Sequence, residues 1–165
     1  MRILGIDPGL ATMGYGVIEA QAGRMKLIAA GAVITKPDQK TPDRLCAIRR
    51  DVKDLLLAYK PDEIVFEELF FAKNITTAMN VSAARGVALC TCAEYTDKLY
   101  EYTPMQIKQA VTGYGKADKK QMQQMVKLLL HMEETPKPDD AADAIAIALC
   151  HARSSTSLLS QIQPK

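Results

Sequence analysis

The chain has 165 residues, nearly half of them hydrophobic and about a quarter charged, with a formal net charge of +2. That describes about one domain of an ordinary globular protein, able to bury a sizeable core, and it excludes a disordered or low-complexity chain. The longest apolar stretches fall short of the roughly 18 residues that suggest a membrane span, and MRILGIDPG opens on a strand pattern with no secretion signal.

Along the chain, the β-rich runs 2–7, 15–20 and 25–35 are separated by Asp7-Pro8-Gly9 and Gln21-Ala22-Gly23, both turn compositions, so three consecutive antiparallel strands are expected. From Thr41 the period changes. Leu45, Ile48, Val52, Leu55, Leu56 and Tyr59 recur at helical spacing, Pro42 suits a first turn, and Pro61 stops the helix. Ile64-Val65-Phe66 is apolar at successive positions, the pattern of a strand covered on both faces and central in its sheet. A long helix rich in small residues follows from Asn74 or Ile75 to Tyr95, with Gly86 expected at a close backbone approach. Residues 98–102 read as a short strand, 105–112 as a short helix, and Gly113-Tyr114-Gly115 as a turn. Met122, Met125, Val126 and Leu129 then mark the core stripe of another helix, and Pro136 and Pro138 precede the last one. The order βββαβαβααα predicts an α/β fold with helices packed on a mixed sheet. The domain is expected to span 1–153, with 154–165 a polar, fraying tail.

The four cysteines, Cys46, Cys90, Cys92 and Cys150, form no CxxC and sit in apolar helical patterns, so they read as core residues of a protein in the reducing cytoplasm. Charge is segregated. Between residues 72 and 131 there are eight lysines and arginines against four acidic residues, whereas 132–150 hold five acidic residues against Lys137 alone. Such a distribution suits an anionic ligand steered toward an acidic, metal-holding site, although a solvated surface has the same look.

Three acidic features stand where structure alone does not demand them. Asp7 closes an apolar strand, although Asp-Pro-Gly is also good turn chemistry. Glu67-Glu68 ends the doubly apolar strand, and because alternation puts one on each face, parity cannot choose between them. The segment PDDAADAIAIALC carries Asp140 and Asp143 on one helix face. Asp139 or Asp140 suits an N-cap, but Asp143 lies in a run that is otherwise apolar. A buried carboxylate without a partner costs several kcal/mol, and neither His131, His151 nor the scattered lysines offer an obvious dedicated one. Carboxylates from distant segments that converge would form an oxygen-rich cage favouring Mg²⁺ or Mn²⁺ over zinc, suited to two-metal phosphodiester hydrolysis. No GxxxxGK[ST] loop or nucleophilic triad competes, and the Gly-x-Gly at 14–16, inside a strand, signals little.

Four stretches, GIDPGLATMGYGVIE, IVFEELFFAKNITTAMNVSAARGVAL, YTPMQIKQAVTGYGKADKKQMQQMV and DDAADAIAIALCH, together resemble the RuvC family of Holliday junction resolvases over roughly residues 2–153. The resemblance implies an RNase H-like fold, with a central five-stranded mixed sheet and helices on both faces. It implies a catalytic and metal-binding tetrad of Asp7, Glu67, Asp140 and Asp143, which selects Glu67 over Glu68 and makes Asp7 the shared ligand. Two Mg²⁺ per subunit are implied, with Mn²⁺ as a substitute, as are paired nicks that leave 5′-phosphates. It further implies that Phe70 approaches the junction crossover, where a ring can stack on bases, and that Lys108 and Lys119 lie near the DNA backbone. Lys73 and Arg85 are added as phosphate contacts. The expected partners are four-way junction DNA, a second copy in a homodimer, and branch-migration proteins, with no membrane involved. Rival readings are an actin-like ATPase, a junction-binding module without catalysis, and an RNase H-like nuclease acting on RNA or other branched DNA. Nucleotide binding tests the first of these, and cleavage of matched junction, hybrid and duplex substrates tests the last.

Overall fold

The computed structural model describes residues 1–69 and 75–155, and for 75–77 the backbone alone. All ten elements occur in the predicted order: β1 (Arg2–Asp7), β2 (Thr12–Gln21), β3 (Arg24–Ile34), α1 (Thr41–Tyr59), β4 (Glu63–Glu67), α2 (Ile75–Ala93), β5 (Leu99–Tyr102), α3 (Pro104–Thr112), α4 (Lys119–Leu129) and α5 (Asp139–Ser155). The strands form one mixed sheet in the order β3-β2-β1-β4-β5. β1 pairs antiparallel with β2 and parallel with β4, and β4 is parallel to β5. β1 is therefore the central strand, and β4, expected there, lies one place away with a partner on each side. Among the described residues no helix is long and apolar enough to cross a membrane.

Strand alternation divides the core between the two faces. Leu4, Ile6, Ile64 and Phe66 pack with Ile48, Val52 and Leu56 of α1 and with Ala84, Ala88 and Cys92 of α2. Ile3, Ile18 and Val65 point the other way, onto Ile145, Ile147 and Leu149 of α5, with α3 and α4 adding Ile107, Val111, Met122 and Val126. The sequence stripes of α1 and α4 are thus their buried faces. Capping boxes fix the starts of α3 (Thr103 with Gln106) and α4 (Asp118 with Gln121), each satisfying two helix-end donors.

Two expectations fail locally. Cys46 and Cys90 are exposed, and only Cys92 and Cys150 are core residues. A Cβ on Gly86 would meet nothing within 4 Å, so no backbone approaches it within the described chain. The close approaches lie in the strands instead. A Cβ on Gly5 would collide with the Ala144 carbonyl, one on Gly14 with the Asp140 carbonyl, and one on Gly16 with Ile145. Strand glycine here does what it does wherever another backbone comes near, and it lets α5 lie directly on β1 and β2.

Toward its far end α5 is pinned by His151, which is only 3% exposed. Its Nε2 lies 2.6 Å from Glu63 Oε2 on β4, and its Nδ1 lies 2.9 Å from the Tyr102 hydroxyl on β5. A single tautomer satisfies both, with Nε2–H donating to Glu63 and Nδ1 accepting from Tyr102.

Candidate active site

Because β1 and β4 are parallel, with Ile6 opposite Phe66, their terminal carboxylates Asp7 and Glu67 finish side by side at one edge of the sheet. Gly14 is the β2 partner of Asp7, and α5 begins its passage over the sheet at Gly14. The first turn of α5 therefore brings Asp140 to that same edge, with Asp143 just beyond it. Asp139 and Asp140 both lie inside this turn, where the helix dipole favours negative charge, and neither is the residue before the helix that the N-cap reading required.

Asp7 lies within electrostatic reach of the other three carboxylates. Asp7 is pushed up to about 7, first by burial and then by the negative charges of Glu67, Asp143 and Asp140, with Lys119 opposing. Burial and Asp143 raise Glu67 above the usual carboxylate range, against the pull of Lys108. Asp143 is also raised, by burial first, while Lys119 lowers it. Excess negative charge of this kind calls for a cation.

Two details differ from the sequence reading. The Asp143 side chain is 37% exposed rather than buried, and it has a partner, since Lys119 Nζ lies 3.4 Å from its Oδ2 and 3.1 Å from Asp139 Oδ2. In addition, no three acidic, His or Cys side chains among the described residues close into a ready-made ion cage. Two of the carboxylates, Glu67 and Asp143, instead line an open cleft of about 290 Å³ with Lys108 and Lys119, over Ile107, Met122 and Ala146, whereas Asp7 and Asp140 are not in its lining. The chemistry of the donor set still fits hard divalent cations, because it offers carboxylate oxygens with no thiolate or imidazole in the lining.

Of the expected DNA contacts, Lys108 and Lys119 line the cleft. Arg85 does not. It sits on α2 with Nη2 2.8 Å from Glu101 Oε1, its side chain only 16% exposed, and its buried Nε has no partner among the described residues. Phe70 and Lys73 lie outside the described residues. What the sequence reading missed is the seating of α5, for which glycines in adjacent strands opposite an alanine-rich helix were the available signal. It also missed the pairing of Lys119 with Asp139 and Asp143, contacts between residues about 20 apart in sequence that no periodicity encodes.

The family model for crossover junction endodeoxyribonuclease RuvC matches residues 3–151. The chain belongs to the RuvC family. A RuvC from Alkaliphilus metalliredigens is 53% identical over 154 residues, covering 93% of this chain and 94% of the relative. The Thermus thermophilus RuvC solved in complex with a Holliday junction substrate has a TM-score of 0.88 at 36% identity, covering 94% of both chains. A yeast mitochondrial Holliday junction resolvase, 16% identical with a TM-score of 0.67 over 92% of this chain and 77% of its own, shares the fold alone. The RNase H-like architecture expected from the sequence is therefore that of the RuvC structures, and divalent-metal use goes with the family.

Proposed function

We propose that this chain is a structure-selective endonuclease that resolves four-way (Holliday) junctions by paired symmetric nicks, in homologous recombination and DNA repair. The observation that carries this reading is the meeting of Asp7, Glu67 and Asp143 at one edge of a RuvC fold, each raised by burial and by its acidic neighbours. Asp7, Glu67, Asp140 and Asp143 would hold two Mg²⁺ ions, with Mn²⁺ as a substitute. Such ions, when bound, supply Lewis acidity and a water of lowered proton affinity for phosphodiester hydrolysis, giving 5′-phosphate ends. Asp7 gives up its proton when a cation takes its place, so its high proton affinity makes loading sensitive to pH near neutrality.

Lys108 and Lys119 flank the carboxylates and offset backbone phosphate charge, so junction affinity falls steeply with salt. Phe70 stacks on bases at the crossover, and Lys73 adds a phosphate contact near it. Arg85 serves the fold through Glu101. A substrate of near two-fold symmetry cut twice suits a C₂ homodimer with one site per subunit. The α2 face that carries Met79, Ser82, Gly86 and Cys90 is exposed and made mostly of small residues, and it is the surface offered to the second copy. Branch-migration proteins are the expected functional partners, in the cytoplasm.

Asp7→Asn in a junction assay with Mg²⁺ is the test. Binding should survive and nicking should disappear, whereas a wild-type nicking rate would refute the assigned chemistry. Hybrid and duplex substrates run alongside separate junction selectivity from a general RNase H-like activity.

A further inference from the structure

Asp139 is a carboxylate at the catalytic edge that has no place in the tetrad, yet both of its oxygens are engaged by α4. Gln123 Nε2 donates to Oδ1 at 3.0 Å, and Lys119 Nζ lies 3.1 Å from Oδ2. Lys119 and Gln123 are four residues apart on α4, and Asp139 and Asp143 are four apart on α5, so one single-turn pair faces another. The fourth side of this square is the 3.4 Å approach of Lys119 to Asp143. The Asp118–Gln121 capping box fixes the first turn of α4, so the backbone of Lys119 is set and only its side chain can choose a partner.

Asp139 is exposed, with 62% of its side chain accessible, so the pair adds little to folding stability. Its consequence lies in where it leaves the ammonium. Shared between two carboxylates, Lys119 stands at the rim of the cleft. With Asp139 neutral, Asp143 would be the one carboxylate left within 4 Å of the ammonium among the described residues. Any cation bound at Asp143 would then have to displace it.

We infer that Asp139 is a positioning residue: oriented by Gln123, it draws Lys119 partly off Asp143 and so keeps that carboxylate available to a divalent cation. This rests on the reading of Asp143 as a metal carboxylate.

The experiment uses the full-length protein without DNA and Mn²⁺ as the probe, with unbound Mn²⁺ measured by electron paramagnetic resonance. D139N should weaken Mn²⁺ binding about fivefold, and D139E should restore it. Q123L, which changes no charge, should weaken it in the same direction by about twofold. In the K119M background the D139N change should have almost no effect, because the competing ammonium is gone. Melting temperatures should agree within about 2 °C, as expected for exposed groups. An unchanged affinity in D139N overturns the inference, as does a D139N loss of equal size in the K119M background, which would mark Asp139 as bulk negative charge. Unchanged binding in Q123L overturns the orienting role of Gln123. A wild-type protein that binds no Mn²⁺ refutes the metal reading itself, and the inference with it.

Discussion

The two faces of the sheet are packed by opposite means. Toward α1 and α2, large side chains interlock: Leu4, Ile6, Ile64 and Phe66 against Ile48, Val52 and Leu56. Toward α5, Ile3, Ile18 and Val65 pack on the helix, but beside them glycines leave positions with no side chain at all. Gly5 leaves room for the helix backbone at Ala144 and Ala148, and Gly14 for the backbone at Asp140. A core of interlocked side chains can absorb a small change in volume by repacking. Backbone against backbone cannot. The face that places the carboxylates is the one with no slack, and the tolerant face carries none of them.

Gly14→Ala should break this contrast most severely if it is wrong. The added methyl meets the Asp140 carbonyl, so neither strand nor helix can yield without moving Asp140 or Asp7, the β1 partner of Gly14. The expected loss is about 3 kcal/mol of stability in urea denaturation, together with loss of junction nicking in the protein that still folds. A neutral G14A would show that α5 has freedom we deny it.

Charge gives a second, smaller test of the same face. Asp7 binds its proton more tightly in the folded protein, at about 7 against an ordinary value of 3.8. Its contribution to stability is therefore fully present below about pH 4 and is lost as pH rises through about 7. Without divalent ions, Asp7→Asn should be more stable than wild type by about 2 kcal/mol at pH 8 and indistinguishable from it at pH 4, by chemical denaturation. A gap of one size at both pH values would mean that neither burial nor the acidic neighbours raise Asp7.

The smallest effect belongs to the tolerant face. Ile48→Val, at a fully buried position, should cost about 1 kcal/mol and leave the nicking rate of the folded protein unchanged. A marked drop in rate would mean that the two faces are mechanically coupled.

Much of this arrangement was legible in the sequence, for reasons that differ by element. α1 could be read because a helix half in water repeats every 3.6 residues, and Ile48, Val52 and Leu56 are indeed its buried residues. β4 could be read because burial on both faces leaves an unbroken apolar run. Asp7, Glu67 and Asp143 stood out as charges at the ends of apolar segments or within one. Parity could not separate Glu67 from Glu68, and the family resemblance supplied that choice. Gly86 was misread because the composition of α2 does not say which helix face meets the sheet, while Gly14 and Gly16 were passed over because a glycine pair in a strand looks like weakness until the element opposite is known. The sequence shows no dedicated partner for Lys119 because its two carboxylates come to it across a gap in the chain that only the packing of α4 on α5 closes.

The buried imidazole between Glu63 and Tyr102 has a mechanical meaning for the edge where the carboxylates gather. It is eight residues beyond Asp143 on the same helix, about 12 Å along the axis, and it ties that helix to two parallel strands. A rod held at both ends neither slides nor pivots. With the far end tied by His151 and the near end seated on Gly14, Asp140 and Asp143 keep both their mutual spacing and their distance to Asp7.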